Sequence, residues 1–308
     1  MDSERSISEL MSELSSPESP SNATLAELSC LDAGEIDIFK SIWFGLTSDR
    51  RHDVVPRLVE LAENNVELNF DAIFKVALND SDPEIRRKSI EGLWENEETS
   101  LIAPLLNLLA NDGSDSVRAA AAGALGRYTL MAEHGKLRPQ RTDIIKESLL
   151  KVAADTSIID EVRRRALEAV APLSVPEVSS AIEAAYRGQN QRLKASALYA
   201  MGRNCDTAWM PFLISELGSA DPELRFESAA ALGELGEQDA VPALLEISND
   251  ADSEVRTAVI QALGKIGGTK AKEYLQGLLE NRAPPIREAA RHALDELLAY
   301  EDPLSLHL

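Results

Sequence analysis

The residue types that most often carry chemistry are thinly spread in this chain of 308 residues. Four histidines occur, His52, His134, His292 and His307. None stands in an HExxH pattern and none is followed by Glu, so the i, i+4 imidazole pairing that holds a catalytic metal is missing. Cys30 and Cys205 lie far apart with no CxxC. That excludes a cysteine zinc site and a disulfide framework, and predicts two free thiols in a reducing cytoplasm. No GxxxxGK[ST] loop and no GxSxG elbow is present. The GGTK at 267–270 reads as a turn between helices. The expectation is a chain with no catalytic residue, no metal and no cofactor.

Charge narrows the partners. Asp and Glu outnumber Lys and Arg 52 to 31, a net charge of −21. Such a chain repels phosphate backbones, which argues against nucleic acid. The start, MDSERSISELMSELSS, has neither a basic stretch nor a continuous apolar one, so it does not read as a signal peptide. The most apolar segment, LIAPLLNLLA at 101–110, has about half the length a bilayer demands. A cytoplasmic protein without a membrane partner is expected.

The carboxylates that are present recur with a period. DPEIR at 82–86, DPELR at 221–225 and DSEVR at 252–256 are copies of one phrase, with weaker copies at 115–118, 160–163, 191–194 and 284–287. The closing basic residues are Arg86, Arg118, Arg163, Lys194, Arg225, Arg256 and Arg287, and the last four spacings are all 31. Seven residues beyond each anchor lies Leu93, Leu125, Val170, Met201, Leu232, Leu263 or Leu294. Four beyond come Ile90, Ala122, Leu167, Leu198, Ala229 and Ile260; only Arg291 departs. Steps of three, four and seven make one apolar stripe on a helix.

The phrase also starts that helix. Asp82, Asp221 and Asp252 stand where an N-cap belongs, and Pro83 and Pro222 follow at the first helical position. Gly126, Gly202, Gly233 and Gly264 recur eight past the anchor, as a crowded contact between repeats requires, and GELG or GKIG ends the helix. A second helix precedes each phrase, beginning near Pro104, Pro211 or Pro242. One such hairpin cannot bury its apolar faces alone, whereas stacked hairpins share a core.

This pattern resembles HEAT-like repeats, in particular the short variety named for phycobilisome lyases. The resemblance covers roughly residues 35–298. It implies an all-α, right-handed solenoid of about seven to eight antiparallel helix pairs over 35–300, with EIDIFKSIWFGL and RRHDVVPRLVELAEN as a loosely fitting cap. Two HEAT-type enzymes are disfavoured by the residues. DNA glycosylases of this type need a basic face, and deoxyhypusine hydroxylase holds its iron pair with His-Glu motifs that are missing here. A non-catalytic scaffold that binds a partner protein or peptide is expected. The alternative, from the repeat's name, is a subunit of a bilin or tetrapyrrole lyase or isomerase.

In such solenoids the second helix of each pair typically lines the concave side. Positions two, five and nine past the anchor face away from the apolar stripe. In the central repeats they present Arg127, Arg165, Tyr199 and Arg203, flanked by carboxylates. Arginine with an aromatic is the composition of a binding hot spot, here suited to an acidic peptide or helix. Solvated charges, with Tyr199 packed on a neighbour, are the plainer reading.

Three stretches depart from the period. Residues 1–34 hold nine serines in the first thirty and read as a disordered acidic tail, although ISELMSEL at 7–14 has the spacing of a short amphipathic helix. Between Arg118 and Arg163 the spacing grows to 45, which suggests an inserted loop near 128–142. Its Lys136, Arg138 and Arg141 are positive inside a negative protein, either idle or a partner contact. Residues 301–308 read as a C-terminal tail. Buried packing is expected for Trp43, Trp94 and Trp209.

Overall fold

The computed structural model describes residues 6–301, and the described residues are helical with short connections. Residues 302–308 of the expected C-terminal tail lie outside the described residues. The chain forms two compact units, Met1–Tyr128 and Thr129–Leu308. The division falls at the start of the stretch where the 31-residue period breaks.

The first unit contains α1 (Ile7–Leu14), α2 (Asn22–Ala26), α3 (Ala33–Trp43), α4 (Ser48–Asn64), α5 (Asp71–Ala77), α6 (Pro83–Gly92), α7 (Ile102–Asn111) and the larger part of α8 (Asp115–Glu133). Helix α1 packs on α3 and α3 on α5, while α2 packs on α4 and α4 on α6. The helices therefore form two rows, first helices in one and second helices in the other.

The expected disordered tail is not what the structure shows. Ser6 caps α1 in a reciprocal capping box with Glu9, and Ile7, Leu10, Met11 and Leu14 are buried. Ser21 caps α2, and Leu25 and Leu28 are buried. Arg50 ties the segment down by donating to the carbonyls of Ser16 and Glu18 at 2.7 and 2.6 Å. Arg57 does the same at Pro20 O, 2.8 Å. These two short helices extend both rows by one step, so they cap the array, and α3–α4 is an ordinary inner pair. The unit's core is aromatic at this end, with Phe39 stacked on Trp43 at 5.2 Å and both fully buried.

The second unit continues with α9 (Pro139–Ala154), α10 (Asp160–Val170), α11 (Pro176–Arg187), α12 (Gln191–Asn204), α13 (Met210–Glu216), α14 (Pro222–Leu235), α15 (Val241–Glu246), α16 (Ser253–Ile266), α17 (Thr269–Leu278) and α18 (Pro284–Glu301). The even-numbered helices α10 to α18 each touch the next even one, and each packs on the odd helix before it. The 14 extra residues of the insertion lengthen helices instead of making a loop. Residues 128–133 belong to α8 and 139–142 to α9, leaving a short turn at Gly135, whose φ of 70° is left-handed.

The repeat phrase does what its residues dictate. The Asp82, Asp221 and Asp252 side chains accept from the N–H groups of Glu84, Glu223 and Glu254. Gly236 closes α14 with φ 71°. The stripe residues at four and seven past the anchor are buried. The glycine eight past it permits close approach of consecutive even helices. A Cβ on Gly202, Gly233 or Gly264 would lie 2.8–3.0 Å from Ala231, Ala262 or Ala293 of the next helix, backbone Cα included.

The anchor itself is a clamp. Arg86 Nη1 donates to the carbonyls of Asp80 and Ser81 in its own turn, while Nε and Nη2 reach both oxygens of Asp112 in the next turn at 2.8 and 2.7 Å. Arg225 repeats this with Ser219, Ala220 and Asp250. Asp112 and Asp250 also accept the N–H two residues on, so one aspartate shapes its turn and joins two repeats. Arg51 plays the same part. It donates to Leu46 O and pairs with buried Asp80 at 3.2 Å. It is an eighth anchor, 35 residues before Arg86 and without the repeat phrase.

Candidate interaction strip

The exposed side of the even helices of the second unit carries a row of polar groups, one set per turn of the repeat. On α10, Arg165 is held within its own helix, Nε to Glu161 at 3.0 Å and Nη1 to Glu168 at 3.1 Å. Glu168 also accepts from Ser196 of α12 at 2.6 Å, and Ser196 accepts from Arg164 Nε at 2.8 Å. This chain of bonds links α10 to α12. Farther along the row, Lys265 of α16 pairs with Glu234 of α14.

Between these paired groups are three that are not satisfied internally. Tyr199 of α12 is 42% exposed, and burial of the rest of its ring raises its phenol above the ordinary value. The Arg203 guanidinium, one turn later on the same face, has no hydrogen-bond or ion-pair partner among the described residues and acts on Tyr199 only through its charge. Glu227 of α14 accepts no hydrogen bond among the described residues. Burial first, and the charges of Glu168 and Glu223 second, push its carboxyl up to about 7, against a smaller opposing effect from Arg164. A phenol, a guanidinium and a half-protonated carboxyl can each donate a hydrogen bond to an incoming chain.

Sequence reasoning brought Arg165, Tyr199 and Arg203 onto one face, and they share the even-helix row of the second unit. It missed Glu227 as more than a flanking carboxylate, because nothing in the spacing reveals how deeply a residue sits. Arg127 is corrected. It belongs to the first unit, and its guanidinium turns into the α6–α7 connection, bonding the carbonyls of Leu93 and Asn96 and lying 5.7 Å from the Tyr128 ring. Burial lowers its pKa. It caps a turn and does not face a partner.

Lys136, Arg138 and Arg141 are exposed around the α8–α9 turn, and no ion pair within the described residues occupies them. Trp43 and Trp209 are buried as expected, their indoles donating to Asp80 and Asn204. Trp94 is not, being 60% exposed just past the end of α6. Among the described residues, no group of three or more His, Cys, Asp or Glu could hold a metal ion, and no helix is long and apolar enough to cross a membrane.

The repeat pattern of the HEAT repeats family matches residues 70–151 and 210–295, more than half of the chain. The chain belongs to the HEAT repeats family. Among solved structures it is similar to Escherichia coli YibA, with 19% identity over 78% of this chain and 96% of that one and a TM-score of 0.47. Human deoxyhypusine hydroxylase is 17% identical over 96% of both chains, with a TM-score of 0.36. A designed armadillo repeat protein is 16% identical over 64% of this chain and 99% of its own, with a TM-score of 0.38. No curated protein matches the sequence.

Proposed function

We propose that this chain is a non-catalytic cytoplasmic scaffold that binds a peptide or helix of a partner protein along the even helices of its second unit. The reading rests on one observation above the others: exposed Tyr199 stands beside Arg203, whose guanidinium has no partner within the described residues. An aromatic with an unspent arginine is the composition of an interface hot spot. A carboxylate of the partner pairs with Arg203, and an apolar or proline-rich stretch covers Tyr199. Arg165 contributes less, because Glu161 and Glu168 already hold it. Lys136, Arg138 and Arg141 extend the positive surface available to an acidic partner. The exposed free thiols of Cys30 and Cys205 suit a reducing compartment.

The test is affinity capture from the source cells with the wild-type chain and a Y199A/R203E variant. Loss of a specific set of captured proteins, with unchanged helical circular dichroism, is the expected result. An identical captured set with both chains would overturn the assignment. A free bilin separates this reading from the tetrapyrrole alternative: a scaffold leaves the pigment's spectrum unaltered.

A further inference from the structure

The clamp that joins successive repeats is not made everywhere: six residues before the next anchor, Ser157, Gly188, Ser219 and Asn281 stand where other repeats have aspartate, and Gly188 borders a cleft. In three repeats the anchor arginine meets an aspartate six residues before the next anchor: Arg51 with Asp80, Arg86 with Asp112, Arg225 with Asp250. For Arg163 the corresponding residue is Gly188. No carboxylate of the next turn reaches Arg163. Its Nε donates to Ala153 O at 3.1 Å, its Nη1 lies 3.6 Å from Asp160 of its own helix, and Nη2 has no partner among the described residues. The side chain is 14% exposed, so this nitrogen stays within reach of a ligand that enters from solvent.

Beside Gly188 a cleft of about 410 Å³ opens between the α9–α10 and α11–α12 pairs. Arg163 and Gly188 both line it. The rest of the wall is mostly apolar and small, including Leu167, Ala181, Ala185 and Leu193. Leu167 and Leu193 are buried core residues whose outer edges form the floor. A guanidinium at one side of an apolar cleft selects a ligand with one carboxylate and a hydrocarbon body. The carboxylate pairs with Arg163 Nη2, since Nε is engaged by Ala153 O, and the hydrocarbon covers the alanines.

We propose that this cleft binds a small aliphatic monocarboxylate, with Arg163 as the carboxylate's partner. The site is at the turns and does not depend on the strip that carries Tyr199. A neutral ligand of the same shape loses the ion pair and leaves Nη2 unpaired. A dicarboxylate brings a second charge against the apolar wall.

The experiment titrates hexanoate into the full-length chain at pH 7 and follows backbone amide shifts by NMR, with hexanamide as the neutral control. Saturable shifts at Leu167, Gly188 and Leu193 with hexanoate, and weaker binding by about tenfold or more for hexanamide, are expected. Arg163→Met should bring hexanoate down to the hexanamide level. Gly188→Asp is the second variant, and its fold is checked by circular dichroism before titration. Gly188 has φ −67° and ψ 167°, a backbone conformation open to any residue, and a Cβ there meets the Ala185 and Ala184 carbonyls at 3.3 and 3.4 Å, so the turn must ease slightly for the new carboxylate to take the place of Asp112 and Asp250. It should abolish hexanoate binding while the chain stays folded. Absence of saturable shifts, equal binding of hexanamide, or hexanoate binding that survives Gly188→Asp would each overturn the proposal.

Discussion

The first unit and the α10–α13 stretch of the second are built from the same repeat but are fastened differently. In the first unit, Arg51 and Arg86 each reach an aspartate in the next turn, and Asp80 additionally accepts the Trp43 indole at 2.9 Å. In the α10–α13 stretch, Gly188 and Ser219 occupy the aspartate positions. Lys194 turns to Glu216 of α13 instead, at 2.7 Å, under the Tyr186 ring. The Tyr186 hydroxyl donates to the same Glu216, and burial followed by that bond pushes its phenol to about 12. In the clamped region Arg51 Nε is buried against Asp80 without a hydrogen bond, closed off from solvent by the pair it belongs to. The unclamped region contains both Arg163 with its free nitrogen and the unpartnered Arg203. A repeat protein that binds something needs groups that its own packing has not consumed and that a ligand can reach, and Arg163 and Arg203 are of that kind.

The comparison breaks most readily at the first unit's outer end. Deleting residues 1–31 strips the cover from α3 and α4, exposing the faces that Leu10, Met11, Leu14, Leu25 and Leu28 bury. The loss should be about 4 kcal/mol or more, since each buried aliphatic side chain contributes roughly 1.5–3 kcal/mol before the entropy of ordering is subtracted. A urea melt that is unchanged by the deletion would return these residues to the status of a tail.

Asp80→Ala comes next. It leaves the Arg51 guanidinium without its ion-pair partner and the Trp43 indole without its acceptor, in a place where Asp80 is 2% exposed. A cost of about 3 kcal/mol is expected, because removing one member of a buried pair strands the other. Lys194→Met, at an anchor with no aspartate to clamp, should cost about 1 kcal/mol or less, as partly exposed pairs do. Equal losses at the two sites would erase the distinction between clamped and relaxed regions.

What was legible in the sequence follows from how local each signal is. The DPEIR phrase, the prolines and the glycine at position eight are local chemistry repeated at fixed intervals, so helix starts and the close approach at Gly233 could be read directly. The cap formed by α1 and α2 was not, because nine serines and a carboxylate excess dominate the composition of a segment whose apolar residues are few but correctly spaced for burial. Arg51 was hidden because its spacing is 35 and no DPEIR surrounds it. The stretch 128–142 looked like a loop because 14 extra residues lengthen the anchor spacing there to 45, yet a single left-handed residue, Gly135, is enough to turn the chain while both neighbouring helices grow. For the site, spacing placed Tyr199 and Arg203 on one face but gave no measure of depth, which is what separates Arg127 and Glu227 from their neighbours.

Gly233→Leu sharpens the comparison from the packing side. Its Cβ would sit 2.8 Å from Ala262 Cα, a backbone atom that cannot swing away, so α14 and α16 must part. A loss of about 2–3 kcal/mol is expected from overpacking. Gly123, on α8, has open space where a Cβ would stand, with no neighbouring atom within 4 Å. Gly123→Ala should be neutral or stabilising by about 0.5 kcal/mol, because alanine is the better helix former. Chemical denaturation of both variants separates a contact requirement from a mere helix-propensity effect.

The last effect depends on pH. Glu227 has an ordinary value of 4.5 and rises to about 7 in the folded chain, chiefly through burial. Between those values the folded protein holds a proton that the unfolded chain releases. Folding stability therefore falls as pH rises through this window, and the full cost is reached above about pH 7. Glu227→Gln removes the titration while keeping the shape. It should leave stability nearly unchanged at pH 4.5 and raise it by about 1–2 kcal/mol at pH 8, less than the shift alone implies because water screens part of the field. The variant's gain in melting temperature should grow steadily across the window. A gain that is equal at both ends would mean that an uncharged side chain simply packs better, and Glu227 would then be no different from the paired carboxylates around it.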